Sequence, residues 1–333
     1  MAKSPITSEV DFEADGKQMG YLRVPHSVDR SAYGWIPVPI TVIRNGAGPT
    51  LLLSAGVHGD EYEGQIAIAE LAAELEAQDI RGRLILLPQV NLPAALAGNR
   101  VSPIDDGNMN RLYPGDPSGT PTEMIAHYHE EILLPLADYA VDLHSGGKSL
   151  MYPATLLRGP SHSVEEEKGL QLLSEALDLP YAWVFTGGGG KASTARTAMG
   201  AANRKGVINV MAELGGGDTV TPDVLALVRR GLRRVLSALG MLSDYVPGVA
   251  RGTRALHVQG SIYAYETGLF EPLKPIGGEV QKGDVVAVLH HPETPGRAPT
   301  QVTSPFAGLV LARRWLAQAN RGDALFQIAA DAS

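Results

Sequence analysis

Two kinds of apolar run alternate along this chain, and their order predicts an α/β fold. The run 50–53, Thr-Leu-Leu-Leu, is apolar at every position, as expected of a strand buried on both faces. Ser54-Ala-Gly56 breaks it, and a helical pattern over 63–77 follows. A second apolar run over 83–88 completes a β-α-β unit, which implies parallel strands joined by a right-handed crossover. Upstream, residues 18–44 hold short alternating runs, read as antiparallel strands leading into the sheet. Downstream, strands are predicted over 139–144, 182–185 and 207–212. Helices are predicted over 122–136, with Thr120 or Thr122 as cap, and over 164–177, 193–205 and 222–239.

After about residue 245 the texture changes to short β-type runs punctuated by glycine. "Lys282-Gly-Asp", "Ser304-Pro-Phe-Ala-Gly-Leu-Val" and "Arg321-Gly-Asp-Ala-Leu" look like hairpins of a biotinyl/lipoyl-type sandwich. The turn that would carry the modified lysine reads His290-His291-Pro-Glu-Thr-Pro-Gly, so the shape is expected without the attachment. The predicted organisation is a mixed, mostly parallel sheet with flanking helices over residues 1–245. A small β-rich, sandwich-like domain over 246–333 follows it.

Several features invite chemistry and are read more plainly. Gly187 to Gly190 followed by Lys191 resembles a phosphate loop, but Phe185 and Ala192 occupy positions that need glycine and a hydroxyl residue. A loop or linker is the better reading. His127 and His129 point to different sides of a helix, and His290 and His291 to opposite faces of a strand. Arg229, Arg230, Arg233 and Arg234 read as a solvated helix face. The stretch 91–121, rich in Pro, Gly and Asn, is long for a structureless loop, and such loops are usually functional.

Composition narrows the chemistry. The 333 residues are 44% hydrophobic and 19% charged, enough apolar material for a sizeable core. A net charge of −8 argues against binding nucleic-acid backbone. Cysteine is absent, which excludes disulfides, iron–sulfur clusters, thiolate zinc sites and a cysteine nucleophile. Neither a secretory apolar segment nor a membrane-length apolar run is visible, so a soluble cytoplasmic protein is expected.

Three predicted strands end in groups suited to a metal or to proton transfer. His58 and Glu61 follow the first, His144 ends the second, and Glu213 ends the third. Open α/β sheets bind ligands at that edge. Taken singly, His58-x-x-Glu61 could be a loop histidine beside a capped helix start, and His144 a solvated strand end. Together, two imidazoles and a carboxylate suit zinc, whose catalytic sites keep a position for water. Zinc lowers the pKa of that water to about 7. A further carboxylate can take its proton and pass it to a leaving nitrogen, and Glu213 is the candidate.

His58-Gly-Asp-Glu61, Asn110-Arg111, Asp142-Leu-His144-Ser and Glu213-Leu-Gly-Gly together resemble the succinylglutamate desuccinylase/aspartoacylase family. The resemblance spans nearly the whole chain and implies a zinc carboxypeptidase-like fold. It implies one zinc per chain on His58, Glu61 and His144, with Glu213 as base. It further implies Asn110 and Arg111 holding a substrate carboxylate and Arg100 polarising the scissile carbonyl. An arginine fork suits such a carboxylate, although exposed arginines are ordinarily surface charge. Arg196 is the candidate for a second, side-chain carboxylate. The segment between Arg100 and Asn110 is longer than in aspartoacylases. Residues 20–35 and Val101-Ser-Pro-Ile-Asp look closer to a bacterial branch that deacetylates Nα-acetyl-2,4-diaminobutyrate in ectoine degradation.

The expected function is therefore a zinc amidohydrolase that removes a small acyl group, acetyl above all, from a small-molecule N-acyl amino acid. A desuccinylase or aspartoacylase-type deacylase and a carboxypeptidase are alternatives within enzymes. A non-catalytic metal-containing binding protein is the alternative outside them, and the chain could self-associate.

Overall fold

The computed structural model of the protein describes residues 3–184, 194–242 and 244–332. The Gly187–Gly190 stretch and Lys191 lie outside the described residues. The alternating N-terminal segment forms β1 (Thr7–Ser8), β2 (Gly16–Pro25) and β3 (Trp35–Asn45), paired antiparallel in that order. The β-α-β unit follows as β4 (Thr50–Ala55), α1 (Tyr62–Glu74) and β5 (Gly82–Leu87), with β4 and β5 parallel and every residue of β4 buried. After α2 (Leu92–Ala97), the long loop leads to α3 (Pro121–Tyr128). Thr120 caps α3 by accepting a hydrogen bond from Glu123 N, while Glu123 reaches back to Thr120 N, a reciprocal box that fixes the start. The helical path then widens into a π-helical stretch, His129–Leu133, before a final 3₁₀ turn.

The strands that matter for function are β6 (Tyr139–His144), β7 (Leu150–Met151), β8 (Thr155–Arg158), β9 (Tyr181–Val184) and β10 (Ile208–Glu213). Between and after them come α4 (Val164–Leu177), α5 (Ala198–Arg204) and α6 (Pro222–Ala238). β4, β6 and β10 lie side by side and parallel, and β8 runs antiparallel to β10. Helices cover both faces, as a sheet with buried central strands requires. Ile68 and Leu71 of α1, Leu173 of α4 and Leu232 of α6 pack on one face. Met124 and Ile125 of α3 and Ala201 of α5 pack on the other.

The α6 arginines are not simply solvated. Arg229 bonds Glu70 and Arg233 bonds Glu74, both on α1, while Arg230 reaches Asp178 at 3.0 Å just beyond α4. Because α6 packs between those two helices, the flanks of its polar face meet their acids instead of water alone.

The C-terminal hairpins do not stand apart from this sheet. β11 (Arg254–Tyr263) pairs in parallel with β9 and antiparallel with β18 (Ala324–Asp331), and β16 (Gly308–Arg314) and β13 (Glu279–Val280) extend the row. Among the described residues a mixed sheet of 14 strands results, joined by a second sheet of 4 strands: β15 (Thr300–Thr303), β14 (Val285–His290), β12 (Gly268–Pro272) and β17 (Gln318–Ala319). His290 bonds Glu271 at 2.6 Å and His291 bonds Thr300 at 3.0 Å, so the adjacent histidines serve different partners. Among the described residues, no helix is long and apolar enough to cross a membrane.

Candidate active site

The edge where β4, β6 and β10 end gathers the chemistry. His58 and Glu61 occupy the turn between β4 and α1, and that turn depends on close packing. A Cβ at residue 59 would sit 1.9 Å from Ala94 O, and one at residue 64 would sit 2.5 Å from Leu143 Cβ. Glycine at both positions lets the turn press against α2 and β6. His58 Nδ1 lies 2.7 Å from Glu61 Oε1, and His144 Nδ1 lies 2.7 Å from Glu61 Oε2. All three side chains are buried, and their ligand atoms fall within 4.8 Å of one another.

The outer ring nitrogens are already committed. His58 Nε2 faces Asn108 Oδ1 at 3.1 Å, and His144 Nε2 faces Asp142 Oδ2 at 2.8 Å. Both partners are acceptors, so each ring keeps its proton on Nε2 and aims Nδ1 at the carboxylate. Two lone pairs and a carboxylate facing inward need positive charge between them, which either extra protons or one divalent cation supplies. Burial opposes charge on both partners, yet the imidazoles hold Glu61 below the usual carboxylate range. Asp142 and Glu61 hold His144 well above the usual imidazole range, again against burial. The donor set fits a tetrahedral zinc-type ion with one open position. Asp142, which also accepts a 2.8 Å hydrogen bond from Ser54, is the orienting carboxylate such sites usually have.

Glu213 ends β10 beside this group. Its Oε2 is buried and has no hydrogen-bond partner among the described residues. Burial, reinforced by the negative charge of Glu61, pushes its carboxyl up to about 8. A neighbouring carboxylate, Glu63, is also raised by burial, to about 7, and accepts a hydrogen bond from Thr221 N at 3.0 Å.

Arg100, Asn110 and Arg111 come in on the long loop. Asp105 pins that loop by accepting from Thr122 N at 2.7 Å and Thr122 Oγ1 at 2.8 Å. Arg100 Nη1 lies 3.5 Å from Glu61 Oε1. Arg111 is exposed at the cavity mouth, its charge disfavoured by partial burial and by Arg100. Asn110 is buried, and its Oδ1 accepts from Ala198 N at 2.9 Å at the start of α5. That oxygen is committed to the fold, which leaves the amide nitrogen for a ligand. Arg196 is exposed and is not among the residues lining the cavity.

The cavity measures about 340 Å³ and joins His58, Glu61 and His144 to Glu213, Arg100 and Arg111. Its walls include residues the sequence did not single out. Tyr152 is buried and donates to Gln327 Oε1 at 3.0 Å, so β18 contributes a polar group to the cavity. Below the site, strand register places Ser54, Asp142, Met211, Leu157 and Trp183 in one row across β4, β6, β10, β8 and β9. The row is polar beneath the histidines and apolar beneath the far wall, where Met199 of α5 joins it.

Comparison with known proteins shows the family. Residues 47–239 match the succinylglutamate desuccinylase/aspartoacylase catalytic domain. The N-alpha-acetyl-L-2,4-diaminobutyric acid deacetylase of Halomonas elongata is 38% identical over 329 residues, covering 98% of this chain and 95% of that protein. The product-bound ectoine utilization protein EutE (DoeB) of Ruegeria pomeroyi superposes with a TM-score of 0.93 at 37% identity, over 99% of this chain and 100% of that one. A succinylglutamate desuccinylase/aspartoacylase from Rhodobacter sphaeroides gives a TM-score of 0.91 at 36% identity, over 99% and 100%. The chain is an amide-hydrolysing enzyme that belongs to the succinylglutamate desuccinylase/aspartoacylase family.

Proposed function

We propose that the protein is a zinc-dependent deacetylase of an N-acyl amino acid, with Nα-acetyl-L-2,4-diaminobutyrate as substrate. The observation that carries this reading is the unpartnered, buried Oε2 of Glu213 beside the closed His58–Glu61–His144 group. A structural metal site has no use for a buried carboxylate left free; a hydrolase needs one. The name of the Halomonas relative supplies the substrate.

Zinc on His58, Glu61 and His144 would supply Lewis-acid polarisation and a lowered pKa for water. Glu213 takes the proton of the attacking water and returns it to the departing nitrogen. Arg100, beside Glu61, meets the charge that develops on the carbonyl oxygen. Arg111 offers its fork to the α-carboxylate at the mouth, and the Asn110 amide nitrogen adds a donor. We read residues 1–245 as a zinc carboxypeptidase-like hydrolase unit and 246–333 as a sandwich-like unit that closes one wall of the cavity through Gln327. A cytoplasmic setting suits a small-metabolite enzyme.

Acetate release from Nα-acetyl-2,4-diaminobutyrate by zinc-loaded enzyme tests the proposal. Amino-acid release from a blocked dipeptide, without acetate release, would make the protein a carboxypeptidase instead.

A further inference from the structure

Arg100 has little to hold its side chain in place. It is half-exposed, and among the described residues its only ion pair is a 3.5 Å contact with Glu61 Oε1, whose carboxylate both histidines already share. The charge of Arg111, disfavoured first by burial, is disfavoured further by Arg100, so the two guanidiniums repel each other. An exposed arm under that repulsion keeps its aim only where the backbone that carries it is fixed. That backbone is fixed at Asn99. Gly98 turns the chain out of α2 in the left-handed region, at φ +56°. Asn99 N then bonds Ala94 O at 3.1 Å, and Asn99 O accepts from Gly59 N at 2.8 Å, inside the turn that carries His58 and Glu61. The Asn99 side chain is held from a third direction, where Lys148 Nζ donates to its Oδ1 at 2.9 Å. Lys148 belongs to the loop that follows His144. Gly146 N ties that loop to Gly215 O at 3.1 Å, and Trp315 N ties it at Ser149 O at 2.9 Å. Between these ties the buried Asp60 accepts from Lys148 N at 2.8 Å. A Cβ at residue 147 would sit 2.6 Å from Asp60 Oδ2, and φ there is +54°, so glycine is what admits the contact. Three segments that carry the site therefore meet through Asp60, Lys148 and Asn99.

We propose that Lys148, anchored by Asp60, is a positioning residue that holds Asn99 and so aims Arg100 at the reacting carbonyl. The inference rests on the deacylase reading above, in which Arg100 meets the charge on that oxygen. Lys148 is not among the residues lining the cavity, so its ammonium acts on Asn99 and not on a ligand. A hydrogen bond from an ionised donor is about twice as strong as one between neutral groups, which suits it to holding a single amide side chain. Asn110 and Arg111 lie further along the loop, beyond Asp105, which is pinned separately to Thr122. Loss of the Lys148 contact therefore disturbs Arg100 and leaves the grip on the substrate carboxylate alone.

Lys148→Met keeps the aliphatic stem and removes the donor. On the zinc-loaded full chain it should lower kcat for Nα-acetyl-2,4-diaminobutyrate about 10-fold, since misplacing a reacting group by about 1 Å costs up to about 10²-fold. KM and metal content should be unchanged. Asn99→Leu removes the acceptor from the other side and should give the same loss, whereas Lys148→Arg keeps a donor and should recover most of it. The decisive comparison is made in an Arg100→Ala background, where Lys148→Met should cost nothing further. The full loss repeated in that background, or wild-type kcat in both folded single variants, overturns the assignment. Order in the Arg100 side chain is read without turnover, from the heteronuclear nitrogen–proton NOE of its Nε–H. That NOE should fall in Lys148→Met and not in Lys148→Arg, and an unchanged value in Lys148→Met also overturns the proposal. Should no N-acyl amino acid turn over while Arg100 still loosens in Lys148→Met, the deacylase reading falls and the clamp stands.

Discussion

Glu213 stands directly opposite His144 across the parallel β10–β6 pair. Backbone register therefore sets the distance between the candidate base and a candidate metal ligand. A slip of one residue in β10 would turn Glu213 to the opposite face of the sheet. Strand register places Glu213 there, and its Oε2 has no hydrogen-bond partner among the described residues.

Glu213→Gln keeps size and hydrogen bonding but removes the basic oxygen. It should lower kcat by about 10²–10⁴, the range expected for a lost proton-transfer group. Metal content measured by elemental analysis should be unchanged. Metal depletion would make Glu213 a ligand, and near-normal turnover would remove it from the mechanism. Activity of the wild type should rise with pH as Glu213 loses its proton. Its carboxyl is pushed up to about 8 without metal, and a bound cation should bring the midpoint lower.

Metal dependence is checked by chelation. Activity should be lost and then restored by added zinc, and a metal-free preparation that stays fully active would refute the proposal. His58→Ala and His144→Ala should each lower metal occupancy, whereas His290→Ala, whose ring serves Glu271, should not. Asp142→Asn retains all three ligands but removes the negative charge that faces His144 Nε2–H. Metal affinity should fall about 10–100-fold, the usual effect of losing such an outer partner.

Arg111→Lys should reduce kcat/KM with metal content intact, because an ammonium cannot reproduce the two parallel hydrogen bonds of a guanidinium. Comparing each enzyme on the free acid and on its α-carboxamide isolates the contact. The amide should lose far less on mutation than the acid; equal losses would place Arg111 against some other group.

The loop anchor makes a stability prediction. Burial would raise the Asp105 carboxyl, but hydrogen bonds from Thr122 and Gly107 outweigh it and hold the pKa below the usual value. A depressed folded pKa contributes stability at neutral pH that is lost as pH falls through that pKa. Asp105→Ala should cost about 0.5–2 kcal/mol at pH 7, as for a lost helix cap, toward the low end because the group is half-exposed. The gap between the denaturation curves of the two proteins should begin to close as pH falls below about 3.9, where the unfolded carboxyl titrates, and vanish once the folded carboxyl is protonated as well. A gap that persists there would mean that packing and not charge is responsible.

The His58–Glu61–His144 group was legible as a candidate metal site because its members sit at or just beyond strand ends, where an apolar run stops. Glu213 was legible for the same reason. Asn108, Tyr152 and Gln327 were not, since nothing in their local pattern marks them. Each becomes meaningful only through a partner 50 or 175 positions away, in the pairs His58–Asn108 and Tyr152–Gln327. The β9–β11 pairing that carries the sheet into the C-terminal hairpins is equally non-local. Periodicity reports burial but not which edge a strand will join. The α6 arginines read as solvent-facing because sequence shows the polar stripe and not the acids of α1 that approach it.

The row Ser54–Asp142–Met211–Leu157–Trp183 has one further consequence. Its two ends belong to different strands, and of its five members Met211, Leu157 and Trp183 line the cavity while Ser54 and Asp142 do not, so drift at one end need not disturb the other. A lineage could exchange Leu157 or Trp183 and acquire a new diet while Ser54 and Asp142 go on orienting His144 unchanged. The sheet thus uncouples innovation from survival of the catalyst: its β8–β9 side is free to diverge, and its β4–β6 side is not.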